Sequence, residues 1–201
     1  MDAERELWLT GDPEADALLS RDLNALLIGM TLDQQIPMEK AFSGPAVIAR
    51  RMGGRLDVAA IAQLPVEDFV ALCSERPAVH RFPGSMGARV HQVCQALVRD
   101  WEGDARTLVE TAPDGAELRR RIEALPGFGR QKASIFVALL GKQLGVAADG
   151  WQQAAGEYGQ DGYRSVADVV DEASLQKVRE HKKMVKAQAK AARATTDVPA
   201  G

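Results

Sequence analysis

The sequence predicts an all-α fold, and three observations carry that prediction. Apolar residues recur at helical spacing along most of the chain, as in Leu118 and Ile122 or Val90, Val93 and Leu97. No segment alternates polar and apolar residues with β-branched enrichment, so no strand is expected. Proline, glycine and N-capping side chains bound the periodic stretches at the distances helices need. A leucine-rich helix is expected over 14–35, broken near Gly29. Pro37 opens a second over 38–52, stopped by Gly53-Gly54 and kinked at Gly44-Pro45, because proline lacks the donor and crowds the preceding turn. Short helices follow at 57–63 and 66–74, the latter with Pro65 just before its first turn. Pro83-Gly84-Ser85 reads as a turn, with Ser85 capping a helix over 86–102. Further helices are expected at 107–112, 115–124 and 130–140, the last stopped by Gly141, then at 150–158, 166–171 and from Ser174 onward. Residues 195–201 are expected to fray, and no internal repeat is evident.

Composition narrows the function classes. A chain of 201 residues buries a good core, and 46% apolar with 26% charged residues is ordinary for a soluble globular protein. No apolar run is long enough to span a bilayer, so no membrane association is expected. The acidic start Met1-Asp2-Ala3-Glu4-Arg5-Glu6 is unlike a secretory leader. Cys73 and Cys94 lack framework spacing and fit reduced thiols of a cytoplasmic protein, with Cys94 in the apolar pattern of its helix. The net charge of −3 hides a strong asymmetry. Residues 1–20 hold six acids against Arg5, 119–142 hold six bases against Glu123, and 174–193 hold seven bases against Glu180. Local fields of that kind attract phosphate whatever the overall sign, although basic runs also serve as plain solvated faces. His80, His91 and His181 show no metal-ligand spacing, and no P-loop, dinucleotide fingerprint or nucleophile triad is present.

The stretch Leu125-Pro126-Gly127-Phe128-Gly129-Arg130-Gln131-Lys132-Ala133 is the most informative. Two glycines at the mouth of an apolar helix let the backbone approach a ligand, and the first N–H groups of that helix have no intrahelical partner. Such a mouth binds phosphate. With the helix before it, this is a helix–hairpin–helix, a device that grips a nucleic-acid backbone without reading sequence. The bland reading is a tight turn that only packs two helices, and Arg130 and Lys132 favour phosphate over it. Asp149 follows Gly129 by twenty residues and is also well positioned to cap the helix from Gly150, a role worth about 1 kcal/mol.

At these residues the chain resembles the helix–hairpin–helix (HhH-GPD) DNA glycosylase superfamily, which includes endonuclease III and the alkylated-base glycosylases. The shared signature is Leu-Pro-Gly-x-Gly-x-x-x-Ala with an essential aspartate about twenty residues on, matched by Leu125 to Ala133 and Asp149. A second match is Leu-Leu-Ile-Gly-Met-Thr-Leu-Asp-Gln-Gln, from Leu26 to Gln35, similar to the family's early helix that ends in glutamines facing DNA. The resemblance implies a two-lobed all-α fold, with residues 20–146 as the lobe holding the hairpin and residues 1–19 plus 147–201 as the second. It implies DNA contact through Gly127, Phe128, Gly129, Arg130, Gln131 and Lys132, catalysis by Asp149, and Gln34 or Gln35 as the wedge that fills the gap left by a flipped base. Trp151, with Tyr158, is a candidate for the base pocket or for plain core packing. The implied partner is double-stranded DNA containing a damaged base, bound by a monomer, with an alkali-metal ion at the hairpin carbonyls as a structural adjunct.

Three departures shape the expectation. Lyase-competent relatives carry a lysine where this chain has Gln131, which cannot form an imine. The aspartate sits in Ala148-Asp149-Gly150-Trp151 rather than before the usual threonine–histidine pair. Two cysteines cannot ligate the four-cysteine iron–sulfur cluster of many relatives, so no cofactor is expected. The expected activity is monofunctional N-glycosidic hydrolysis. The alternatives are a non-catalytic helix–hairpin–helix DNA-binding protein and, third, a lyase using Lys132.

Overall fold

The protein is described from a computed structural model, over residues 6–146 and 148–196, the last four as backbone only. The described residues form eleven α-helices and two short 3-10 turns, with no strand, so the all-α expectation holds. The helices are α1 (Pro13–Arg21), α2 (Leu23–Leu32), α3 (Met38–Arg51), α4 (Val58–Gln63), α5 (Val66–Ser74), α6 (Pro83–Trp101), α7 (Ala105–Glu110), α8 (Gly115–Glu123), α9 (Arg130–Gln143), α10 (Trp151–Ala155) and α11 (Glu172–Thr196). The 3-10 turns are Gly156–Gly159 and Val166–Asp168. None of these helices is long and apolar enough to cross a membrane. The fraying expected of residues 195–201 falls mostly outside the described residues.

α2 is the central rod. Every residue from Ala25 to Leu32 is buried, so it is apolar all round, as a helix enclosed by others must be. α1, α3, α6 and α7 pack around it. Gly29 meets the Phe42 ring and Gly44 meets Leu32, which draws α3 close against α2. A single hydrophobic core runs from Leu7 in the N-terminal segment to Val178 in α11. The N-terminal segment is folded onto α1 by Asp16, whose buried carboxylate accepts from the N–H groups of Leu9, Thr10 and Gly11 and from the Thr10 hydroxyl.

Several boundaries differ from the sequence reading. The expected helix 14–35 breaks at Asp22, not Gly29. Asp22 is extended, and its carboxylate caps α2 through Asn24 N–H and Ala25 N–H. α3 runs unbroken through Pro45. Its packing on α2 outweighs the one lost hydrogen bond. α6 starts at Pro83 with Phe82 as its N-cap, so Ser85 lies inside the helix. α9 continues past Gly141 to Gln143, because that glycine is where the Trp151 ring lies flat on the helix.

The end of α9 anchors the rest of the chain. Lys142 pairs with Asp168 at 2.6 Å and donates to Gln160 O, while Gln143 Nε2 reaches the carbonyls of Val166, Ala167 and Val169. α10 is wedged against α8 and α9, and Gly115 N–H donates to Asp149 O at 2.8 Å. A Cβ on Gly115 would stand 2.5 Å from Trp151 Cα, a clash with backbone that no rotamer relieves. Gly115→Ala should therefore cost about 1–3 kcal/mol of unfolding free energy, read from urea titrations. Gly84→Ala is the control, since a Cβ there meets nothing and should stabilise α6 slightly.

Candidate active site

The hairpin forms as its residue types require. Gly127 has φ +81°, a region costly for other residues, and Phe128 N–H closes the turn onto Leu125 O. Phe128 is buried edge-on against Phe136, so it holds the turn from inside. Gly129 is the N-cap of α9, with φ −88° and no side chain capping the helix. A Cβ on Gly129 would meet nothing, which leaves the N-terminus of α9 open to solvent. A helix end with free N–H groups and no cap attracts an anion.

Arg130, Gln131 and Asp149 line one open cleft of about 860 Å³, within the range of about 300–1,000 Å³ typical of ligand sites. Its walls are α8, α9 and α10 with the 3-10 turn that follows. Gln131 Nε2 donates to the Tyr158 hydroxyl at 2.8 Å, and Tyr158 is also a wall residue. Trp151 is not a wall residue, because its ring covers Gly141 of α9. Asp149 does not cap α10. The N-cap is Gly150, in the left-handed region at φ +73°, with no side-chain cap hydrogen bond. The Asp149 backbone is fixed by Gly115, while its exposed carboxylate has no hydrogen bond or ion pair among the described residues. The other two carboxylates of the cleft are engaged. Asp114 caps α8 through Glu117 N–H, and Glu157 faces Arg164 at 3.7 Å.

Lys132 does not turn outward to a phosphate. It is half-buried, with Nζ 3.3 Å from Thr31 O and 5.6 Å from the centre of the Phe128 ring. Burial pushes its ammonium below the usual lysine range, against the opposing effect of Asp33, and Arg89 adds to the drop. Burial likewise pushes Asp33 above the usual carboxylate range, while Lys182 and Lys132 oppose it. Gln34 and Gln35 emerge beside this pair at the end of α2, both exposed. Gln35 is left-handed at φ +58°, a strained conformation for a residue other than glycine. Gln34 O accepts from His80 Nε2 at 2.9 Å, and His80 Nδ1 accepts from Phe82 N–H, which fixes the ring tautomer with hydrogen on Nε2.

Most bases counted around the hairpin are spent inside the protein. Arg119 pairs with Glu123, Arg120 and Arg121 with Glu117, and Lys142 with Asp168. Arg121 also lies 4.7 Å over the Trp101 ring. Arg130 is exposed and makes no ion pair among the described residues. A second cation at the turn is Arg89 of α6, whose side chain lies directly against Gly127. Sequence reading missed Arg89, since nothing in the pattern of α6 announces what its surface covers. It missed Ser134 and Asp114 of the cleft for the same reason. Cys73 and Cys94 are both buried, with thiols pushed up to about 12 by burial, and two such groups do not fit a four-thiolate cluster.

Gly127→Ala should lose about 1–2 kcal/mol of stability and also weaken DNA binding. Gly129→Ala should leave the melting temperature unchanged and weaken DNA binding alone, as the added methyl obstructs only the open helix mouth. Calorimetry and fluorescence anisotropy separate the two effects. The two arginines beside Glu117 hold its carboxyl down at about 2, so its contribution is full above the usual glutamate range and is lost as pH falls through about 2. Glu117→Gln should accordingly lower Tm near neutrality, with the difference narrowing on acidification, and should raise nonspecific DNA affinity by releasing Arg120.

The family model described as HhH-GPD superfamily base excision DNA repair protein matches residues 28–197, from inside α2 to just beyond α11. Among curated proteins and among solved structures, none matches the chain. The matched span contains the hairpin, the cleft and the segment of Gln34 and Gln35, and covers most of the sequence. The chain belongs to the HhH-GPD superfamily of base excision DNA repair proteins.

Proposed function

We propose that the protein is a monofunctional DNA N-glycosylase that hydrolyses the bond between a damaged base and deoxyribose. The observation that carries this reading is the carboxylate of Asp149, without a partner among the described residues and backbone-anchored in the cleft that also holds Gln131. As the glycosidic bond lengthens, positive charge develops on the sugar, and a carboxylate facing it lowers the barrier. The same group takes a proton from the water whose oxygen bonds to the anomeric carbon, while the bonding electrons leave with the base. Bound DNA would close the open side of the cleft, and excluding water strengthens that electrostatic effect.

The other residues hold the duplex. N–H groups at the mouth of α9 take one phosphate, with Arg130 and Arg89 beside it, and Gln34 or Gln35 fills the space of the extruded nucleotide, whose flipping costs a few kcal/mol. An alkali-metal ion is compatible with the turn, because Leu125 O accepts one hydrogen bond, from Phe128 N–H, and keeps a second lone pair. It would brace the hairpin and take no part in bond cleavage. Gln131 offers no amine, and Lys132 is tied to Thr31 O outside the cleft walls. The alternative is a non-catalytic DNA-binding protein, and the feature that favours it is Gly150-Trp151 in place of the usual threonine–histidine pair after Asp149.

The test is a panel of duplexes, each with one lesion, scored for free base and strand cleavage. Asp149→Asn should lower base release by about 10²–10³-fold while lesion binding persists. Wild type should yield an intact abasic strand, cut only by alkali or heat, and borohydride should trap no adduct. Unchanged release by Asp149→Asn removes that residue from the mechanism. A trapped adduct lost on Lys132→Gln overturns the monofunctional reading, and DNA binding without release on any lesion supports the non-catalytic one.

A further inference from the structure

The last helix leaves the body of the protein. Its first turns are anchored: Leu175 and Val178 are buried, Lys177 Nζ lies 4.5 Å over the Tyr163 ring, and Arg179 pairs with Glu39 in the first turn of α3. Beyond the half-buried His181 every residue from Lys182 to Lys190 is exposed. Residues 181–196 contain Lys182, Lys183, Lys186, Lys190 and Arg193, and no acid.

Such a helix is poorly supported by the chain alone. Lys182, Lys186 and Lys190 follow one another at i, i+4, where like charges repel by roughly 0.2–0.5 kcal/mol per pair. None of the four lysines makes an ion pair among the described residues, and no core packing offsets the repulsion. A dense negative partner removes that penalty, and it does so best where charges repeat regularly along a line.

The point of departure says where such a partner would lie. Arg179 pairs with Glu39, in the first turn of the helix that follows Gln34 and Gln35, so α11 emerges near that segment, and the charge of Lys182 is felt at Asp33. From Lys182 to Thr196 the helix spans fifteen residues, about 22 Å at 1.5 Å per residue, or about six base pairs of duplex at 3.4 Å each. We propose that α11 beyond His181 is an arm that binds the phosphates of duplex DNA beside the wedge segment, without regard to sequence. This inference rests on the DNA-repair reading above. Met184 and Val185, 51% and 46% exposed on the same stretch, are what a protein partner would use, but the lysines outnumber them and continue to the end of the described side chains.

The test replaces Lys182, Lys183, Lys186 and Lys190 together by Gln in the full chain, keeping helix propensity, with circular dichroism to verify helicity. Affinity for an undamaged duplex is measured between 50 and 200 mM salt. Four phosphate contacts contribute about 3.6 to the slope of log K against log salt, so the variant should lose roughly a hundredfold less affinity over that range than wild type. A wild type that binds duplex and a variant with the same affinity and slope would overturn the arm while leaving the DNA-repair reading intact. A wild type that binds no duplex would overturn both. Met184→Ser with Val185→Ser should leave the slope as in wild type. If the lysine variant has no effect on DNA, and the serine pair instead abolishes self-association in sedimentation, the projecting helix serves a second copy of the chain and the arm is refuted.

Discussion

The interface depends on how the C-terminus of α2 is finished. A helix leaves its last carbonyls without partners, and one buried on all sides must satisfy them where it reaches the surface. Gly29 O takes Asp33 N–H and Leu32 O takes Gln34 N–H, which closes the turn locally. Thr31 O is reached from α9 by Lys132, and Gln34 O from the loop before α6 by His80. Two of these four bonds come from elements distant in sequence. The left-handed Gln35 follows directly on this pinned segment, Gln34 O being held by His80. The lysine next to the hairpin is therefore a strut between the hairpin turn and the segment of Gln34 and Gln35.

Pairing, more than the number of basic residues, decides which charges face DNA. The six bases of 119–142 look like one positive field, yet Glu117, Glu123 and Asp168 hold four of them and Thr31 O a fifth. What remains at the turn is Arg130, joined by Arg89 from a helix forty residues upstream. The pair of exposed Arg120 with Glu117 stabilises little and mainly directs charge, whereas the mostly buried Lys142–Asp168 pair also holds the end of α9. The surface is selective in where it is positive, and that suits a protein whose net charge is negative.

Elements decided by local chemistry were legible in the sequence. The hairpin glycines, the helices on either side of it and the short helices α4 and α5 each follow from residues within a few positions. Elements decided by distant packing were not. Gly141 reads as a helix stop until the Trp151 ring is seen to need its missing side chain, and Pro45 reads as a kink until α2 is in place beside it. Asp149 reads as a helix cap, but its neighbour Gly150 takes the cap position in a conformation open to glycine. The site itself was half legible. Its hairpin and aspartate stand out in the sequence, whereas Ser134, Asp114 and Arg89 join it only through tertiary contact.

The adjacent residues Gln131 and Lys132 show how one helix separates two chemistries. One step along α9 turns a side chain by about 100°. Gln131 thereby faces the cleft and Tyr158, while Lys132 faces α2 and Asp33. Lyase chemistry needs an amine at the sugar carbon, and here the nearby amine is directed to a backbone carbonyl, over the face of Phe128. Moving it into the cleft would strand Thr31 O and leave half-buried Asp33 with one fewer cation. The cost of that rearrangement falls on the same contacts that fix the end of α2. Hydrolysis led by a carboxylate asks for no such movement, since Asp149 already lines the cleft and is anchored through its backbone alone. That difference in required motion supports water over an amine as the nucleophile in the proposed reaction.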